Sequence, residues 1–168
     1  MLELERATLR RTRPAPVDPS VVSFCSNDYL GLAAQPLSLE TLPGSGAARL
    51  IAGEHREHQT LERVTAEWLG YESALLFTSG YAANLGLLSS LAHPGDLVVS
   101  DQRNHASIID GIRLSKAEVA VVPHLDVEAT AAALAKHPTG RRWVVTEGYF
   151  SMDADTPDLR ALREVCDA

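Results

Sequence analysis

Three short segments hold the residue types that do chemistry, and each follows an apolar run. The first is Thr78-Ser79-Gly80-Tyr81-Ala82-Ala83-Asn84, small and hydroxylated residues opening a predicted helix. Free N–H groups and the positive end of the helix dipole suit an anion there, a phosphate above all. On that segment alone, an ordinary N-cap is the stronger reading of Ser79. The second segment is Ser100-Asp101-Gln102-Arg103-Asn104-His105. His105 offers a flat ring able to stack on an aromatic ligand, and its plain alternative is a capping or solvated histidine. The third is Glu147-Gly148-Tyr149-Phe150-Ser151-Met152-Asp153, a carboxylate and a hydroxyl placed for ligand contact or for ordinary turn chemistry. The chain has no Walker lysine and no GxGxxG, so a nucleotide fingerprint is absent. His55 and His58 lack a third ligand, and Asp153 and Asp155 read as turn and N-cap residues before Pro157, so no metal site is expected.

The elements that must position these segments follow from periodicity. Residues 1–20 predict a short arginine-bearing helix broken by Pro14, Pro16 and Pro19. Leu61, Val64, Trp68 and Leu69 recur at helical spacing, with Gly70 as a C-terminal cap. Ala74–Phe77 reads as a buried strand, followed by a helix with Leu85, Leu88 and Leu91 on one face that Pro94-Gly95 stops. Leu97–Val99, Val119–Val122 and Trp143–Thr146 read as further buried strands. Between them lie predicted helices over 105–115 and 127–136, and another starts at 157 with Pro157 in its first turn. Short strands that are apolar throughout, alternating with helices, imply right-handed βαβ units and a parallel sheet covered on both faces. Ligands in such sheets sit beyond the carboxyl ends of the strands, which is where the three segments fall.

Composition bounds the rest. The 168 residues are 45% hydrophobic and 22% charged, enough apolar material for a core. The net charge of −7 argues against nucleic-acid or anionic-membrane binding through bulk charge. Cys25 and Cys166 form no CxxC, which excludes a zinc knuckle or disulfide scaffold. No basic start with an apolar run, and no stretch near the roughly 20 residues of a membrane span, is present. A cytoplasmic protein is expected. Of the 15 basic residues, 13 are Arg and two are Lys, Lys116 and Lys136.

Seven ordered motifs together are more specific than any one of them. They are Phe24-Cys25-Ser26-Asn27-Asp28-Tyr29-Leu30-Gly31-Leu32, Gly44-Ser45-Gly46, His58-Gln59-Thr60-Leu61-Glu62, Trp68-Leu69-Gly70, Ser79-Gly80-Tyr81-Ala82-Ala83-Asn84, Asn104-His105-Ala106-Ser107 and Thr146-Glu147-Gly148-Tyr149-Phe150-Ser151-Met152-Asp153. In these the chain resembles the α-oxoamine synthases, enzymes that use pyridoxal 5'-phosphate (PLP). The resemblance implies an α/β fold: the large domain of PLP-dependent transferase fold type I, aspartate-aminotransferase-like, with a mostly parallel and here incomplete sheet. It divides the chain into an N-terminal segment, 1–43, and the first part of the PLP-binding large domain, 44–168.

The resemblance also implies roles. Gly80 and Tyr81 match the pair that contacts the cofactor at the helix start. His105 matches the histidine that stacks on the pyridine ring and meets the substrate, Ser151 a cofactor-contacting serine, and Glu147 a motif position that orients its neighbours. Arg10 matches, loosely, an arginine that binds a substrate carboxylate, and Asn27 falls near the site at a subunit boundary. The family condenses an amino acid with an acyl thioester and releases carbon dioxide. The best-fitting chemistry joins L-alanine to pimeloyl-CoA, or to its acyl-carrier-protein thioester, giving 8-amino-7-oxononanoate for biotin biosynthesis. The 2-amino-3-ketobutyrate CoA ligases, which share Asn104–Gly111, are the rival. A homodimer is expected of the complete enzyme. Neither Lys116 nor Lys136 matches the lysine that forms a Schiff base with PLP, so this stretch is expected to stop before that residue and to be inactive alone. A non-catalytic remnant or binding module is the alternative of a different class.

Overall fold

The computed structural model describes residues 21, 26–36, 44–137 and 139–168. Arg10 and Cys25 lie outside them. Residues 26–31 form a turn in which Asp28 accepts the N–H groups of Leu32 (2.8 Å) and Ala33 (3.0 Å), starting a 3-10 turn over Leu32–Ala34. A π-helical turn, Arg49–Gly53, precedes the first long helix, α1, Arg56–Leu69. His55 and His58 are its caps: the His55 N–H donates to His58 Nδ1 at 3.2 Å. Gly70 ends α1 in the left-handed conformation at φ 74°, as the sequence predicts.

The centre is a three-stranded parallel sheet, ordered β2-β1-β3, with β1 Leu97–Asp101, β2 Glu118–Val122 and β3 Arg142–Val145. Four helices surround it: α2 Gly80–Leu91, α3 Ala106–Ser115, α4 Val127–Ala135 and α5 Leu159–Asp167. Because successive strand residues point to opposite faces, β1 feeds two cores. Val98 packs with Ala92, Ile108 and Ile112 beneath α2 and α3. Leu97 and Val99 pack with Val122 and Leu134, and with Val165 of α5, on the other face. All five β1 residues are buried, as a central strand requires.

Three expectations need correction. Ala74–Phe77 is not a strand. No strand among the described residues lies beside it, and an unpaired strand has nowhere to place its backbone groups. The Leu76 N–H goes instead to Glu62 Oε1 at 2.7 Å, and Leu75 stays 71% exposed. Strand β2 is not buried throughout: it is one of the two sheet edges, and Val119 and Val121 are exposed on one face while Val122 is buried on the other. Pro157 does not begin α5. Asp158 does, because its Oδ1 accepts the Ala161 N–H at 2.9 Å and its short acidic side chain makes the better cap.

Glu62 anchors the 74–77 segment and gives a test of it. Its carboxylate also receives Arg49 Nη1 at 2.7 Å, and Arg49 Nε reaches Glu54 Oε2 at 2.5 Å. The Arg49 guanidinium first, then the Leu76 N–H, hold the Glu62 carboxyl down to about 2 against the opposing effect of burial. A depressed acid stabilises the native arrangement fully above its ordinary value and loses that contribution as pH falls through its native value. The Leu76 amide resonance is therefore expected to move only as the pH drops well below 4.5, toward about 2. In Glu62→Gln that pH dependence should vanish. A Leu76 titration centred near the ordinary glutamate value would refute the anchor.

Candidate cofactor site

A crevice of about 470 Å³ opens at the carboxyl ends of β1 and β3, where the starts of α2 and α3 converge. Gly80, Tyr81, Asn84, His105, Glu147 and Tyr149 are among its walls. The sequence-predicted residues Gly80, Tyr81, His105 and Glu147 are thus brought together from three loops. Ser151 is exposed and does not line the crevice, although it follows the lining segment Thr146–Tyr149. Asn27 is exposed on the 26–31 turn and does not line it either.

The α2 start is built to meet an anion. Ser79 Oγ accepts the Ala82 N–H at 3.1 Å and the Ser79 carbonyl accepts the Ala83 N–H at 3.0 Å. The N–H groups of Gly80 and Tyr81 have no partner among the described residues. A Cβ on Gly80 would meet nothing within 4 Å, so glycine leaves this helix start open to the crevice. Among the described residues no Lys or Arg lines it, and the attraction they offer an anion comes from helix N–H groups and dipoles.

His105 is held on two sides. Its backbone N–H donates to Glu147 Oε1 at 2.6 Å, tying the β1 loop to the β3 loop. Its ring caps α3: Nδ1 accepts the Ser107 N–H at 3.1 Å and meets Ser107 Oγ at 2.8 Å. Ser107 Oγ in turn accepts from Asn84 Nδ2 at 2.9 Å. Because Nδ1 accepts the Ser107 N–H it carries no proton itself, the Ser107 hydroxyl, which accepts from Asn84, is free to donate to it, and a neutral ring carries its proton on Nε2. The Tyr81 ring stands edge-on to His105, with centroids 6.2 Å apart. The Tyr81 hydroxyl donates to Asp110, and that carboxylate, with burial adding to it, raises the phenol above its ordinary value.

Sequence reasoning missed two parts of this site. Asn84 and Ser107 were quoted only as motif letters, yet they fix the ring of His105. Asn84 lies one turn inside α2 and Ser107 is the second residue of α3, and their meeting across two helices leaves no local signal. Asn104, likewise given no role by the sequence, is a brace. It is buried, and its amide donates to Ser100 Oγ at 2.9 Å and to the Val145 carbonyl at 2.7 Å, joining the ends of β1 and β3.

The two lysines lie at the other end of the sheet. Lys116 caps α3 just before β2, and Lys136 caps α4 on the way to β3; both are exposed. A full strand length, roughly 13 Å at the rise of a parallel strand, separates them from the crevice.

Comparison with known proteins agrees with this architecture. The sequence profile described as aminotransferase class I and II matches residues 19–168. An 8-amino-7-oxononanoate synthase of Anaeromyxobacter sp. (strain K) is 49% identical over 156 residues, covering 88% of this chain and 39% of the relative. The chain therefore spans about two fifths of the length of such curated relatives. A solved structure of SPT with PLP is 34% identical with a TM-score of 0.71, covering 74% of this chain and 31% of that one. The 8-amino-7-oxononanoate synthase of Francisella tularensis is 30% identical with a TM-score of 0.66, covering 88% of this chain and 43% of that one. The fold is that of the PLP-dependent transferase fold type I large domain. With 150 of its 168 residues matched, the chain belongs to the aminotransferase class I and II family.

Proposed function

We propose that this chain is the cofactor-cradling part of a PLP-dependent oxoamine synthase that condenses L-alanine with a pimeloyl thioester to give 8-amino-7-oxononanoate. One observation carries the reading: two unpaired N–H groups at the start of α2 face the same crevice as a ring whose tautomer and orientation are fixed. An anionic group attached to a flat heteroaromatic ring matches that donor set. PLP, when bound, supplies an electron sink for the amino acid's α-carbon. The chain's own residues bind and orient. The Gly80 and Tyr81 N–H groups would hold its phosphate, and the His105 ring would stack on its pyridine. Glu147 keeps the His105 backbone in place, and the Nε2 proton of His105 is available to an acceptor on the substrate. Ser151, which does not line the crevice here, would be a further contact to the cofactor. Arg10 and Asn27 serve the substrate carboxylate and the subunit boundary.

Neither lysine of the chain reaches the crevice, so catalysis draws its lysine from outside these residues. The apolar surface at Trp68 (82% exposed), Tyr71 and Leu75 is covered in the complete protein, a homodimer in this reading. The names of the relatives favour the pimeloyl reaction over the ketobutyrate ligase.

The test is a titration of the 168-residue chain with PLP and with inorganic phosphate, followed by amide and imidazole resonances. Saturable shifts at Gly80 and Tyr81 are expected with both ligands, and shifts of the His105 ring with PLP alone. Silence at all three would sink the crevice assignment. Borohydride should yield no stoichiometric reduced adduct at Lys116 or Lys136; such an adduct would overturn the claim that the lysine comes from elsewhere.

A further inference from the structure

His124 lies beyond the end of β2, outside the crevice, and has both ring nitrogens on carboxylates. Nδ1 sits 2.9 Å from Asp101 Oδ1, and Nε2 sits 3.2 Å from both oxygens of Asp155. Its side chain is 10% exposed. The Phe150 ring, itself buried, packs edge-on against it with centroids 4.5 Å apart. Each carboxylate accepts only, so the arrangement with a proton on both nitrogens is the one that satisfies all three groups.

The two carboxylates belong to the loops that build the crevice. Asp101 ends β1, and besides His124 it accepts the N–H groups of Arg103 (2.8 Å) and Leu125 (2.9 Å), shaping the path toward His105. Asp155 closes the turn after β3: its carbonyl accepts the Phe150 N–H at 2.9 Å, and Ala154 N–H returns to the Phe150 carbonyl at 2.8 Å. Two non-glycine residues beside the cluster, Leu125 and Ala154, are both held at φ 58°. L-residues resist that conformation, and it persists where surrounding contacts over-determine it.

We propose that His124 is a positioning residue: as an imidazolium it ties the Phe150–Asp155 turn to the carboxyl end of β1 and so holds the 147–151 segment in register with His105. Its benefit to cofactor binding rests on the reading of the crevice given above; the tie itself does not. The Asp101 carboxylate first, then Asp155, raise the imidazole above its ordinary value against the opposing effect of burial. The other charged groups on the packed elements are engaged elsewhere. Asp153 pairs with Arg103 at 2.5 Å, and Asp126 and Asp158 cap α4 and α5. A raised base stabilises fully below its ordinary value, near 6.5, and loses that contribution as pH rises through the higher native value. The tie therefore loosens on the alkaline side.

The experiment is amide hydrogen exchange on the 168-residue chain, corrected for intrinsic rates, in wild type, His124→Gln and Asp155→Asn. Exchange across 149–155 should accelerate about tenfold in each variant, the factor one charge-assisted hydrogen bond carries, while Val98 and Val99 keep their protection. In wild type, protection of 149–155 should fall as pH rises above the ordinary histidine range, and His124→Gln should flatten that profile. If His124→Gln does not fold, Asp155→Asn carries the test, because the Asp155 side chain is already 36% exposed. Unchanged exchange in a folded variant, loss in step with Val98 and Val99, or a pH-independent wild type would each overturn the proposal. A failed PLP titration leaves these outcomes untouched, so the two readings fail separately.

Discussion

Replacing His105 by alanine in a chain completed with the rest of a synthase is expected to lower turnover by about a hundredfold or more, the scale on which a misplaced reacting group costs rate. The substitution removes the ring that covers the crevice, and it also removes the acceptor for the Ser107 N–H at the start of α3. Those two losses must be separated. His105→Asn does so, because asparagine is among the best N-caps and has no ring. If the ring is what matters, the asparagine variant keeps the stability of the wild type and the low turnover of the alanine variant. Turnover restored by asparagine would show that His105 matters only as a cap. Near-wild-type turnover in the alanine variant would remove the stacking role altogether. His105→Phe restores a flat face without the Nε2 proton, so its turnover reports how much of the loss belongs to stacking.

This separation shows why the sequence disclosed some of the site and hid the rest. The end of α1, the start of α2 and the place of α3 were legible because caps and apolar periodicity are local signals: Gly70, Ser79 and the Ile108–Ile112 stripe each act within about one turn of chain. The crevice was legible in outline because the three segments at strand ends must meet once the strands are parallel. The non-local contacts were not legible. Nothing in the order of residues says that Asn84 meets Ser107, or that His124 lies between Asp101 and Asp155; those pairs are 23, 23 and 31 positions apart and meet only after the βαβ units have packed. Asp155 was read as turn chemistry because the turn is visible locally and its partner is not. Ala74–Phe77 failed for the opposite reason. Its apolar run is a strand signal, but a strand is a property of two segments, and the second is not among the described residues.

Gly111 carries the other large expected effect, and it reaches the crevice through packing alone. It lies in the middle of α3, where a Cβ would stand 2.8 Å from the Asn84 carbonyl oxygen and 3.0 Å from Leu88 Cβ on α2. Two opposed effects act on Gly111→Ala. Alanine in a helix interior gains about 0.5–1 kcal/mol over glycine. Forcing an atom into a closed contact costs about 1–3 kcal/mol, and here the obstructing atom is backbone that cannot swing aside. The second effect should win, so the alanine variant is destabilised, and Gly111→Val, larger and β-branched, more so. Urea unfolding of the isolated chain measures this as a lowered midpoint at unchanged slope. The consequence extends to the site because Asn84 is both the residue that Gly111 touches and the donor to Ser107. Pushing α2 off α3 breaks the Asn84–Ser107–His105 chain and separates the Gly80 and Tyr81 N–H groups from the ring. The shifts that PLP induces at Gly80 and Tyr81 should then weaken in Gly111→Ala under conditions where the variant is still folded. A Gly111→Ala chain more stable than wild type would show that the helices can part at no cost, and the close approach would then have no part in building the crevice.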